Sequence, residues 1–193
     1  KDISGVKLDY RAEYAQQGDA SLDIHSLNDT NGTVGSPGSE GQADAYYYNL
    51  DLGANISGVL AGVNYEFLSG STGTDNKTQF STPLATGHKF NGWADKFLST
   101  PLGGLVDANV RLGYQTKDFG KFLVVYHDFT ADKKMAGLDD LGTEFDILYA
   151  NKIPGVKNLS GLLKYADYSK GTVAGYTADT QKFWAELDYR FSF

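Results

Sequence analysis

The sequence predicts an all-β protein whose antiparallel strands run up and down and close into a barrel that spans a membrane. Three observations predict this fold. Apolar and polar residues alternate along the stretches that read as strands, which gives each strand one apolar and one polar face. The composition favours strands, with 13 Tyr and 11 Phe against 4 Pro. The connections between the strands are alternately long and short.

The final stretch, 181–193, shows the alternation most clearly. From Phe183 to Phe193 every second residue is apolar, and the residues between them are Trp184, Glu186, Asp188, Arg190 and Ser192. This ending looks like the closing strand of bacterial outer-membrane β-barrels, which carries a C-terminal aromatic residue. An amphipathic edge strand of a soluble β-sandwich would show the same alternation, so the other strands are needed to choose between the two.

The rest of the chain predicts about eight strands of roughly ten residues, the length that a tilted strand needs to cross a bilayer. We place them at 6–14, 43–55, 59–67, 105–115, 121–127, 144–149, 159–168 and 181–193. Tyrosines near the strand ends are predicted to form an aromatic girdle at the membrane interface: Tyr14, Tyr46, Tyr65, Tyr114, Tyr126, Tyr149 and Tyr165.

The lengths of the connections favour the membrane barrel over the sandwich. Long or medium connections are predicted at 17–42, 68–104, 130–141 and 169–180, and short ones at 55–58, 116–120 and 151–155. Outer-membrane barrels have short periplasmic turns and long extracellular loops, whereas a sandwich has no reason to alternate in this way. With Phe193 at the periplasmic end, both termini are predicted to be periplasmic.

Composition excludes several classes of protein. The longest apolar run, Phe122 to Tyr126, is far shorter than the ~20 residues of a membrane-spanning helix. The chain has no cysteines and a formal charge of −7, which argue against a disulfide scaffold and against nucleic acid as a partner. We expect one domain, 1–193, that begins at Lys1 either as a processed mature chain or as a fragment.

Several segments resemble, in the same order, the C-terminal half of the bacterial alginate-export-like outer-membrane family. They are HKFNGWADKFLSTPLGGLVDANVRLGY (88–114), VVYHDFTAD (124–132), GTEFDILYANK (142–152), LLKYADYS (162–169) and TQKFWAELDYRF (180–191), and 5–20 resembles a strand from the middle of those proteins. The family forms large porin barrels that carry polysaccharide or other solutes. The resemblance implies that this chain is the later part of a barrel of about 16 to 18 strands, or a shortened relative that closes alone.

Charged residues on the polar faces are predicted to line a water-filled pore. They are Lys7, Arg11, Asp51, Asp107, Arg111, Lys164, Glu186, Asp188 and Arg190. Such a wall attracts and guides a hydrophilic solute, or its charges neutralise each other, as they would in the filled interior of an eight-stranded barrel. Because both signs are present, the lining is not strongly anion-selective, which argues against alginate itself.

The segment 90–101 is predicted to narrow the pore. The spacing of Trp93, Phe97 and Leu98 predicts a short amphipathic helix that ends before Pro101. Long loops of such barrels often fold inward, so Trp93, Asp95, Lys96 and Phe97 are the residues that we expect at a constriction or plug. The alternative is an extracellular cap on the rim of the barrel.

No enzyme, metal site or cofactor is predicted. The histidines are His25, His88 and His127, and no nucleophile motif accompanies them. His127 with Asp128 reads as a hydrogen-bonding pair. Asp139 and Asp140, near Glu144, lack the spacing of a calcium loop.

The sequence therefore predicts an outer-membrane, porin-like channel for passive passage of a hydrophilic solute, saccharide or anionic. Its partners would be outer-membrane lipid, lipopolysaccharide and the solute. The alternative is a small closed barrel that does not conduct and has a structural, adhesive or lipid-modifying role.

Overall fold

The computed structural model describes residues 2–3, 5–17, 45–72, 78–82 and 91–191. This part of the chain is all-β. It contains no helix that is long and apolar enough to cross a membrane. The strands are β1 (Asp2–Ile3), β2 (Val6–Gln17), β3 (Ala45–Ile56), β4 (Val59–Leu68), β5 (Leu105–Thr116), β6 (Gly120–Met135), β7 (Leu138–Lys152), β8 (Leu159–Lys170) and β9 (Thr180–Tyr189).

The strands form one antiparallel sheet in which each strand pairs with the next one along the chain. The predicted up-and-down order is therefore confirmed, and the structure adds the short β1, in which Ile3 pairs with Val6. Within the described ranges β1 and β9 are the two edges of the sheet and do not pair with each other. Closure into a barrel stays a prediction. Phe193, His25, His88 and most of the connection 17–42 lie outside the described residues.

The register confirms the predicted division of the sheet into an apolar and a polar face. One row of the apolar face crosses all eight long strands: Leu8, Ala54, Ala61, Leu112, Val124, Ile147, Tyr165 and Phe183. Tyr10 and Leu187, on the same face near the two edges, are 82% and 72% exposed. The matching row of the polar face is Arg11, Asp51, Asn64, Asn109, His127, Glu144, Tyr168 and Thr180.

The predicted loop at 130–141 is wrong. β6 continues to Met135 and β7 begins at Leu138, so the two strands form one long hairpin. Ala136 and Gly137 turn the chain with φ of 51° and 85°. Positive φ at both central residues is typical of a type I′ turn, whose twist matches that of the two strands.

The predicted helix at 93–98 is also wrong, because this segment is an irregular loop. Asn91, Gly92 and Asp95 have φ of 54°, 83° and 60°, which a right-handed helix does not allow. The backbone N–H groups of Trp93 and Ala94 bind the side chain of Glu144 on β7 rather than carbonyl groups of a helix. A hydrogen bond to a distant residue therefore replaces the local ones that the spacing predicted.

A small hydrophobic core covers the polar side of the sheet at the end that carries the long connections. It combines strand residues with residues of the connections 69–104 and 171–179, namely Ala45, Leu68, Phe80, Ala94, Phe97, Leu105, Phe129, Ala131, Leu141, Ala166, Tyr168 and Val173. The end with the short turns has no such cover among the described residues. The polar face is thus divided into a covered half and an open half.

Candidate functional site

The candidate site is the polar face together with residues 91–101, which we call the covering segment. This segment lies over β4 to β9 at the boundary between the two halves. It is held there by hydrogen bonds, one ion pair and ring contacts. The predicted pore-lining residues are distributed on both sides of this boundary.

A buried histidine lies at the centre of the covered half. His127 on β6 has its Nδ1 2.9 Å from Asp107 Oδ1 on β5 and its Nε2 3.6 Å from Asp146 Oδ2 on β7. All three side chains are buried. The predicted pairing of His127 with Asp128 is wrong, because successive residues of a strand point to opposite faces and Asp128 lies on the apolar side.

Amides and a third acid extend this network across β3 and β4. Glu66 accepts hydrogen bonds from Asn91 Nδ2 at 2.7 Å and from the Tyr47 hydroxyl at 3.0 Å. Asn64 Nδ2 donates to Asn49 Oδ1 at 3.0 Å, and Asn49 is almost completely buried. The sequence placed these side chains on the polar face but gave no signal that they form one network.

Glu144 fixes the covering segment by its backbone. Its Oε1 accepts the N–H groups of Trp93 and Ala94, the latter at 2.7 Å. Gly92 allows this approach, since a Cβ there would lie 2.6 Å from Glu144 Oε2. No donor among the described residues reaches that second oxygen. The binding of two adjacent amides by one buried carboxylate orders the segment at this point.

Two lysines attach the same segment through their charges. Lys182 Nζ on β9 lies 2.6 Å from Asp95 Oδ2. Lys164 Nζ on β8 lies 4.9 Å from the ring centres of both Trp93 and Trp184, between two cation–π partners. Contacts of this kind favour a fixed position of the segment because each one joins it to a different strand.

Lys96 and Phe97 join the segment to the hydrophobic core. Phe97 is buried, with its ring centre 4.5 Å from that of Phe129 and 5.2 Å from that of Tyr176. Lys96 Nζ lies over the Tyr168 ring and 3.2 Å from Thr180 Oγ1. Burial in this core raises the pKa of the Tyr176 hydroxyl, since the charged form would lose its water.

The open half contains a strong ion pair. Arg111 on β5 binds Asp51 on β3 through two nitrogens, at 2.6 Å and 2.7 Å. The guanidinium crosses the intervening strand β4 above Gly62, where a Cβ would lie 2.6 Å from it. A bidentate pair of this geometry is both directional and charge-assisted.

The other predicted pore-lining residues lie on the polar face but are not joined into one cluster. Arg11 Nη1 lies 3.8 Å from Glu13, and Arg190 Nη2 lies 3.1 Å from Asp188. Lys7 is exposed on β2. A cavity of about 520 Å³ at the short-turn end is lined by several charged side chains, including Lys117, Lys121, Lys152, Glu186 and Asp188. The described part of the chain contains no group of acids and histidines that could hold a metal ion.

No protein-family model, no curated protein and no solved structure matches this chain. The resemblance to the alginate-export-like family therefore stays a prediction. What the geometry shows is a sheet with one largely apolar face, a polar face rich in both charges, and a loop fixed over half of the polar face.

Proposed function

We propose that this sheet is part of the wall of a bacterial outer-membrane β-barrel through which a hydrophilic solute, saccharide or anionic, passes. The observation that carries the proposal is the apolar row that crosses all eight long strands, opposite an equally continuous polar row. Exposed aliphatic and aromatic side chains on all eight long strands are unfavourable in water but suit contact with acyl chains.

The backbone supports the same proposal. In hydrocarbon every peptide N–H and C=O must be hydrogen-bonded within the protein, and only a helix or a closed sheet achieves this. The described chain has a continuous ladder of antiparallel pairs from β1 to β9 and no helix. The apolar face would then contact lipid and lipopolysaccharide, with the short turns and both termini in the periplasm.

We propose further that the wall is completed by strands in addition to these nine. The two edge strands, β1 and β9, do not pair with each other in the described part. This agrees with the resemblance to porins of about 16 to 18 strands. The intact mass of the protein isolated from its membrane tests this point: we expect a value well above 21.0 kDa, and a mass equal to that of this chain would contradict it.

The polar face suits an uncharged or weakly anionic solute. Arg111 is paired with Asp51, and Arg190 with Asp188, so much of the positive charge is compensated within the wall. Gln115, Thr116 and Ser160, which line the cavity at the short-turn end, offer amide and hydroxyl groups for hydrogen bonds to a saccharide. An aqueous lumen of this kind selects by size and hydrogen bonding more than by net charge.

Planar-bilayer conductance of the full-length protein tests the channel. We expect steady single-channel currents with weak ion selectivity. Arg111→Glu should shift the reversal potential in a salt gradient towards cation preference, because it reverses a charge in the lumen. Lys157→Glu, which makes the same change in an exposed turn, should shift it far less. Currents that are absent from a folded, membrane-inserted protein would contradict the proposal.

A non-conducting barrel with a structural, adhesive or lipid-modifying role is the second candidate. The observation that favours it is the hydrophobic core under the connections 69–104 and 171–179, which fills the covered half of the polar face. The same conductance measurement separates the two candidates, since a filled interior passes no steady current.

A further inference from the structure

Two carboxylates on β7 are buried next to each other under the covering segment. Glu144 is 1% exposed and Asp146 is 0% exposed, and both point to the polar face. No donor among the described residues hydrogen-bonds to Oε2 of Glu144 or to either oxygen of Asp146. Asp146 interacts directly with the Glu144 side chain. Three carboxylate oxygens are therefore buried without a well-formed hydrogen bond from the described residues, and the Trp93 N–H faces Asp146 as well as Glu144.

The surroundings of this pair contain charged groups on every neighbouring element. They are His127 on β6, Asp107 beyond it on β5, Lys164 and Tyr168 on β8, Lys182 on β9 and Asp95 of the covering segment. His127 Nε2 lies 3.6 Å from Asp146 Oδ2, which is too far to donate a good hydrogen bond. Lys164 lies between two tryptophan rings.

Two ionised carboxylates in direct contact and without water repel each other strongly. Sites of this kind hold one proton between the two groups, because the proton removes one charge and supplies the missing donor. A metal ion would serve the same purpose, but the described residues include no ligand set that could hold one. A shared proton leaves Glu144 Oε1 free to accept the amides of Trp93 and Ala94.

We propose that Glu144 and Asp146 form a proton-binding site that controls the position of the covering segment. With one proton, Asp146 donates to Glu144 Oε2 and the segment stays bound. When the pH rises, the proton leaves for the solvent, two negative charges face each other, and the pair separates as water enters. The amide bonds to Trp93 and Ala94 are then lost, and the segment opens at alkaline pH.

This inference adds regulation to the proposed channel, and only its effect on conductance rests on that proposal. Opening would uncover the half of the polar face that the segment occupies. We call the Glu144–Asp146 pair with its hydrogen bonds to Trp93 and Ala94 the latch, and it involves only β7 and the covering segment. It can therefore be tested without a measurement of transport.

Tryptophan fluorescence provides the test, because the chain has only two tryptophans. Trp184→Phe, together with Phe in place of any tryptophan in the additional strands of the wall, leaves Trp93 as the single reporter, placed in the covering segment itself. We expect quenching of Trp93 by acrylamide to rise as the pH is raised from about 6 to about 10, because burial moves the ionisation of carboxyl groups into this range. The experiment uses the full chain in detergent micelles. Folding is checked by the change in electrophoretic mobility that heating of the sample produces.

Variants of Glu144 and Asp146 test whether this pair causes the rise in quenching. Asp146→Asn in the same background donates to Glu144 and cannot ionise, so the rise in quenching should be lost. Asp188→Asn, a matched change on β9 away from the segment, should keep the rise. His127→Gln should also keep it, because the proposal places the proton on the two carboxylates. Glu144→Gln is a second variant of the pair and should likewise remove the rise if Asp146→Asn does not fold.

The inference is overturned if quenching does not change with pH in the Trp184→Phe protein, or if the rise persists in the folded variants of the pair. It is also overturned if His127→Gln alone removes the rise. Conductance is recorded separately over the same range. A rise in quenching without any current at any pH would support the latch and contradict the channel, so the two proposals can fail independently.

Discussion

At the scale of single residues, the Asp51–Arg111 pair is the strongest interaction of the open half. Its two side chains are only 17% and 23% exposed, whereas Asp188 and Arg190 are 41% and 84% exposed. Partial burial and bidentate geometry strengthen an ion pair, and exposure weakens it. A double-mutant cycle with Asp51→Asn and Arg111→Met should give a coupling energy of about 1 kcal/mol.

The matched cycle uses Asp188→Asn and Arg190→Met, measured in the same way from urea unfolding in detergent micelles. We expect the coupling there to be close to zero, because water and salt screen the exposed pair. Equal coupling energies in the two cycles would show that burial of the Asp51–Arg111 pair has no energetic effect.

Gly92 is the residue that lets the covering segment approach Glu144. An alanine there would strain the backbone, at φ of 83°, and its Cβ would meet the carboxylate at 2.6 Å. Gly155 has a similar φ of 80° but open space around it. We expect Gly92→Ala to lower the free energy of unfolding by about 1 to 3 kcal/mol more than the strain alone. Gly155→Ala measures the cost of the positive φ alone. The difference in the free energy of unfolding between the two variants then measures the cost of disturbing the contact between the covering segment and Glu144.

The alternation of the sequence was sufficient to predict which face each strand residue occupies, but not its partner. Pleating sends neighbours along a strand to opposite faces, so the sides of Arg111, Asp51 and Asp107 followed directly. The partners depend on the register between strands, which alternation leaves open. His127 therefore pairs with Asp107 across the sheet and not with its sequence neighbour Asp128.

At the scale of the elements, the β6–β7 hairpin extends beyond its neighbours and turns at Ala136 and Gly137. Ala136 has a positive φ of 51°, where alanine is strained and asparagine is tolerated better. Ala136→Asn should therefore raise the free energy of unfolding, by about 0.5 kcal/mol. Urea unfolding checks this, and Ala174→Asn, in the connection between β8 and β9, controls for the polarity of the new side chain. A change of the same size in both variants would exclude the turn as the cause.

The two elements that the sequence mispredicted failed for the same physical reason. In 130–141 the charged and small residues resemble a loop, although only Ala136 and Gly137 form the turn. The pairing of the two strands also shifts in register after Phe129. In 93–98 the helical spacing of apolar residues reflects their burial against Phe129 and Tyr176. Long-range contacts determine both conformations, and local pattern carries no information about them.

At the scale of the whole molecule, the sheet has an apolar face and a polar face, as the proposed membrane barrel requires for its contacts with lipid and with water. The number, order and direction of the long strands could be predicted because each one repeats the same two-residue period. The cover over half of the polar face could not, because it depends on how residues 78–82 and 91–101 pack onto strands far along the chain. The strand residues of the candidate site thus follow from a local sequence pattern. Its covering segment depends on packing between residues that are far apart in the sequence.

The two faces predict opposite outcomes for one substitution at two exposed leucines. Leu112 on the apolar face is 61% exposed and Leu98 in the covering segment is 53% exposed, so water would treat them alike. If the apolar face contacts acyl chains, Leu112→Arg should lower the free energy of unfolding from lipid vesicles by about 2 to 4 kcal/mol. Leu98→Arg should change it by less than about 0.5 kcal/mol, because that residue lies outside the apolar face. Urea titration of folding into phosphatidylcholine vesicles, followed by fluorescence, measures both values. Equal and small effects would mean that the apolar face does not meet lipid, and the membrane proposal would then be wrong.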